Sequence, residues 1–143
     1  MKKLFLLTLI LTSFQSANAQ SLIDTARDFS HYSTHGELLE LYPVLTQEKV
    51  VVLDFFTTSC GPCTTYAPDI QQIHEAYGSN QGDVIVWGLD WGNDNWGVRN
   101  FDSINGITYP TVSGMEGGAN VTNLVYQIQS RPTVLIILPN TLI

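Results

Sequence analysis

Only two of the 143 residues are cysteine. Two thiols cannot build the disulfide framework of a small secreted scaffold. With three scattered histidines they form no standard zinc spacing, so no metal is implied, and no cofactor either. Cations are scarce too, six Lys and Arg against thirteen Asp and Glu, for a net charge of −7. Such a surface repels phosphate backbones, which argues against nucleic acid as a partner. Charged residues make up 13% of the chain, too few for an acidic disordered tail, whereas 44% is apolar, which suits one packed domain. No apolar run approaches the ~20 residues of a membrane-spanning helix, so no stable membrane anchor is expected.

The longest apolar run near the start is Leu4–Leu11, interrupted only by Thr8. Lys2 and Lys3 precede it, and Ala17-Asn18-Ala19 follows as a small-x-small site. Residues 1–19 therefore read as a secretory signal cut after Ala19. The expected location is exported, periplasmic or extracellular in a bacterium. Loss of Lys2 and Lys3 leaves four cations against thirteen acids, a net of −9. Export also places both cysteines where disulfides persist.

Residues 20–48 read as an N-terminal extension with a short hairpin around Gly36, and residues 49–143 as the main domain. Lys49–Phe56 and Asp83–Asp90 are apolar, β-branched runs typical of strands buried on both faces. Cys63–Tyr77 predicts a helix with Ile70, Ile73 and Tyr77 on one stripe and Gly78 as its C-cap. Asn95–Asn105 predicts a weaker helix with Trp96, Phe101 and Ile104 inward. A short strand over Ile107–Val112, a helix capped by Asn120 and running to Tyr126, and a strand over Thr133–Leu138 complete the pattern. Alternating strands and helices predict an α/β sheet covered on both faces. Trp87, Trp91 and Trp96 read as core and rim packing, and His31, His35 and His74 as surface residues.

Cys60-Gly61-Pro62-Cys63 carries the chemistry. Two thiols spaced this way close a disulfide when the second lies in the first turn of a helix, and the flanking strand and helix supply that setting. Free N–H groups and the helix dipole favour a thiolate at Cys60. Pro62 fits the first helical turn, where its missing N–H costs little. A purely structural role is poor, because so short a loop gains little entropy on closure. Cys60 is expected as the attacking sulfur and Cys63 as the resolving one. Asp54, inside the preceding strand, either faces solvent at a strand edge or is buried; its apolar neighbours favour burial.

With this motif the sequence resembles the thioredoxin superfamily, and within it the exported TlpA-type thiol-disulfide oxidoreductases, over about residues 28–140. The resemblance implies a thioredoxin-like α/β fold with a central mixed sheet flanked by helices. It implies that Asp54 is the buried acid beneath Cys63 and accepts its proton. Pro68 matches the proline that kinks the motif's helix. Pro132, ahead of the last apolar strand, matches a cis proline facing the cysteines, where the backbone of the preceding residue binds substrate. Ser59, Arg131, Pro132 and Thr133 are thereby the expected substrate-binding residues. The implied partners are protein disulfides or dithiols and a protein that recharges the pair.

Several positions depart from the family. Ser59 stands where a tryptophan is usual, giving a smaller, more polar rim. Arg131 is a cation where smaller or apolar residues are common, and either steers partners or faces solvent. The segment Asn105–Pro110 looks like the insertion of TlpA-type and AhpC/TSA-redoxin proteins. That keeps a thiol peroxidase as an alternative, although the proline of a peroxidatic motif is missing; a non-catalytic binding module is the other. The family's hairpin strand and final helix are not found after Leu138, so Val134–Leu138 is expected to lose cover, and the chain is expected to be a fragment.

Overall fold

The computed structural model describes residues 23–143; the expected signal segment, residues 1–19, lies outside them. The chain runs β1 (Ser30–Tyr32), β2 (Leu38–Glu40), α1 (Leu41–Leu45), β3 (Val50–Phe56), α2 (Gly61–Ala76), β4 (Val84–Asp90), α3 (Asn95–Asn105), β5 (Thr111–Val112), α4 (Ala119–Val125) and β6 (Thr133–Ile137). β1 and β2 form the predicted hairpin. The main sheet has the order β5-β4-β3-β6, with β6 antiparallel to β3 and the other pairs parallel. This is a mixed sheet in a thioredoxin-like fold.

Successive strand residues point to opposite faces, and β3 is buried on both. Val51, Leu53 and Phe55 enter a core with Trp87, Leu89 and Tyr126. Val52 and Phe56 enter a second core with Cys63, Ile70 and Phe101. Each such side chain contributes roughly 1.5–3 kcal/mol through burial. Asp54 alternates with Val52 and Phe56, so its carboxyl group is buried beneath α2 among apolar neighbours. β6 is an edge strand, and its Val134 and Ile136 side chains, with Leu138 just after it, are exposed.

Five expectations change. α2 begins at Gly61 rather than Cys63, which makes Cys60 its N-cap. α3 turns Val98, Phe101 and Asp102 inward; Trp96 and Ile104 are therefore off that face and 70% and 73% exposed. Asp102 tolerates the inward position because the Thr111 hydroxyl donates to it at 2.6 Å. His74 is buried, with Nδ1 3.1 Å from Asn80 Oδ1, and half-buried His31 has Nε2 2.6 Å from Thr122 Oγ1. The short strand shrinks to Thr111–Val112, since the residues before it are not paired in the sheet. α4 starts two residues early, at Ala119 with Gly118 as its N-cap, and Asn120 instead accepts from the Gly92 amide at 2.9 Å.

Candidate redox site

β3 ends at Phe56, and Thr57–Ser59 turn the chain into α2. Cys60 is extended (φ −94°, ψ 108°), and its sulfur accepts the Cys63 amide at 3.1 Å. The side chain thus caps the helix that presents it. Cys60 and Cys63 are joined by a disulfide, with Cα atoms 5.2 Å apart. The two sulfurs are unequal. Cys60 is half-exposed, whereas Cys63 is only 4% exposed. Gly61 and Pro62 lie exposed between them, and Pro62 occupies the first turn. Such geometry lets a partner reach Cys60 first.

Across the sulfurs lies the Arg131–Pro132 peptide, which is cis. The Arg131 carbonyl oxygen is 3.6 Å from Cys60 Sγ. The Arg131 guanidinium donates to Asn123 Oδ1 at 2.7 Å and stacks over Trp91 at 4.8 Å. Arg131 is therefore held beside the cysteines rather than free in solvent. Ser59, the residue before Cys60, is exposed. Thr133 is buried and donates its hydroxyl to the Ser130 carbonyl at 2.8 Å, so it steadies the turn rather than facing the cleft.

Beneath the sulfurs, Asp54 and Cys63 line one cavity of about 230 Å³ together with Ala67, Ile70, Pro132 and Val134. Asp54 is 6% exposed. Burial raises its pKa to about 6, against a Tyr109 hydroxyl that donates to Oδ2 at 3.0 Å and favours the charged form. A carboxylate of that strength can take a proton from a thiol through water in the shared cavity.

A second buried acid ties the loops together. Asp90 accepts the Asn93 amide at 2.9 Å, the Asn93 side chain at 2.8 Å and the Gly114 amide at 3.0 Å. Asn93 also donates to Thr57 at 3.1 Å and accepts from Thr58 at 2.9 Å. The loop entering α2 is thus pinned to the end of β4. Nothing in the local sequence marks the hold of Asn93 on Thr57 and Thr58. Tyr109 was equally unmarked, because only the fold brings β5's approach over β3. Of the three tryptophans, Trp87 is core, Trp91 is the platform for Arg131, and Trp96 lines an open cleft with Thr58 and Thr64.

Comparison with known proteins agrees with this geometry. The AhpC/TSA family matches residues 22–143. The chain is 32% identical over 85 residues to thioredoxin-2 of Saccharomyces cerevisiae, covering 54% of this chain and 68% of that one. It is 45% identical over 38 residues to thioredoxin-1 of Schizosaccharomyces pombe, spanning only 37% of that protein and 27% of this one. Among solved structures, a thioredoxin domain of a thiol-disulfide oxidoreductase from Bacteroides vulgatus superposes with a TM-score of 0.71 at 15% identity, covering 85% of this chain and 86% of the other. A secreted disulfide oxidoreductase from Mycobacterium tuberculosis gives 0.67 at 18% identity, covering 79% and 78%.

Proposed function

Since the chain belongs to the AhpC/TSA family, with a thioredoxin-like fold and a Cys60–Cys63 disulfide, we propose that it is an exported thiol-disulfide oxidoreductase acting on protein disulfides. The observation that carries this reading is the pairing of a reachable Cys60 with a covered Cys63 above buried Asp54. In the reduced protein the Cys60 thiolate attacks a partner disulfide. A Cys60–partner disulfide forms, and one partner thiolate leaves. Cys63 gives its proton to Asp54 through the shared cavity and attacks Cys60 Sγ. That breaks the mixed disulfide, releases the second partner thiol and leaves the partner reduced by two electrons.

Each neighbour has a part in this scheme. The α2 N-terminus favours the Cys60 thiolate. The Arg131 carbonyl binds the partner backbone beside Pro132, and the Arg131 guanidinium favours partners carrying carboxylates near the disulfide. Ser59 forms the rim before Cys60. Export is supported by residues 1–19; among the described residues no helix is long and apolar enough to cross a membrane.

Reduction of insulin by dithiothreitol tests the reading. The native protein accelerates it and Cys60→Ser does not; equal rates for the two would dismiss catalysis. Consumption of hydrogen peroxide at a comparable rate would favour the peroxidase instead. A reduction potential near about −270 mV marks a reductant, and one near about −120 mV an oxidant.

A further inference from the structure

We propose that Tyr109 is a positioning residue for this exchange, its hydroxyl holding the Asp54 carboxylate beside the cavity shared with Cys63. The proposal rests on Asp54 being the proton acceptor of the reading above. Among the described residues, the Tyr109 hydroxyl is the one group that hydrogen-bonds the Asp54 side chain. Tyr109 is 2% exposed, and its ring meets His74 edge-on at 5.9 Å. The ring fits because of Gly88, the residue paired with Asp54 across β3 and β4. A Cβ at Gly88 would come 3.2 Å from Tyr109 Cε2 and 2.9 Å from Thr111 Cγ2. A missing side chain on β4 therefore makes room for a hydroxyl to reach an acid on β3.

The surroundings leave the hydroxyl a clear task. From α2, Cys63 and Asp69 line the cavity with Asp54, and His74 packs on the Tyr109 ring. From α3, Asp102 is a second buried acid that feels the Asp54 charge, and from the end of β4 Asp90 adds to the negative field at Asp102. β6 and the residue before it contribute only Val134 and Pro132 at this cavity. Burial and neighbouring acids raise the Tyr109 hydroxyl far above its ordinary range, so it stays a donor. A fixed neutral donor stabilises the carboxylate without the pull of a cation. Asp54 can then be charged before Cys63 reacts and still accept a proton from it.

The test uses the full chain with Tyr109→Phe, Asp54→Asn and the double variant. Phenylalanine keeps the ring that packs on His74 and removes only the donor. Carboxyl-carbon NMR of the reduced protein reads the Asp54 ionisation, and single-turnover reduction of insulin disulfides reads the pH profile. In Tyr109→Phe the Asp54 ionisation moves up by roughly one pH unit, as loss of a hydrogen bond to a charged group predicts. The acidic limb of the rate profile moves with it, and the double variant matches Asp54→Asn. Asp54 ionising at the same pH in Tyr109→Phe and the native protein overturns the Tyr109 assignment alone. A native-like profile in Asp54→Asn removes the proton acceptor from the proposed function, and the role of Tyr109 falls with it.

Discussion

Asp54 and Asp90 lie near the ends of adjacent parallel strands, both buried, yet their surroundings differ. Burial pushes both carboxyl groups up. Asp54 has one donor, the Tyr109 hydroxyl. Asp90 is opposed by four, from Asn93 twice, Gly114 and Trp91. A carboxylate saturated with donors is a structural tie, because each donor needs it. A carboxylate with one donor and a cavity beside it remains able to change its proton. Residue type and burial are shared; the number of hydrogen bonds separates scaffold from chemistry.

The widest separation is expected in stability. Asp90→Ala leaves the amides of Asn93 and Gly114 without their acceptor and frees Asn93 from its hold on Thr57 and Thr58. Breaking such a buried network costs about 4 kcal/mol. Urea unfolding at neutral pH checks it. A loss equal to that of a surface Asp→Ala substitution would erase the distinction drawn above.

Asp54→Asn is expected to act with the opposite sign, and only above acid pH. The unfolded chain releases this proton near pH 3.8, whereas the folded protein keeps it to about pH 6. Between those values the folded state holds more protons, so stability falls as pH rises. The difference reaches about 3 kcal/mol by neutral pH and is absent at the acid end. Asp54→Asn removes that decline and is more stable than the native protein at neutral pH. Asp102, raised to about 7 for the same reason, retains its own decline in this variant. Thermal melts across the window read both slopes; an unchanged slope in Asp54→Asn would mean that Asp54 is charged throughout.

These two acids also show how far the sequence reached. The alternation of β3 and the CGPC spacing made the sheet, α2 and the burial of Asp54 legible, because strand periodicity and helix capping are local. Arg131 was left open, since its lodging on Trp91 and Asn123 depends on three separate loops. Trp96 and Ile104 were misplaced for a related reason. The facing sheet sets the phase of α3, and it prefers Asp102 inward once Thr111 supplies a partner. Asp90 read only as the last residue of a buried strand, because its donor at Gly114 comes from the far side of α3. Tyr109 gave no signal in its own segment; its meaning depends on an absent side chain at Gly88.

The smallest expected effect probes that absence. Gly88→Ala introduces a methyl group close to Thr111 Cγ2, Phe56 Cε1 and Tyr109 Cε2. Overpacking of this kind costs about 1–2 kcal/mol when neighbours can shift. The Tyr109 ring is the neighbour whose shift matters, because its hydroxyl is the sole donor to Asp54, while every donor to Asp90 lies outside this contact. Gly88→Ala should therefore raise the ionisation of Asp54 in the same direction as Tyr109→Phe, but by less, and leave Asp90's hydrogen-bonded amides as protected from hydrogen exchange as in the native protein. If the Asn93 and Gly114 amides lose protection along with the change at Asp54, the two acids are mechanically coupled through β4. The division between a rigid tie and a responsive acid would then be one of degree.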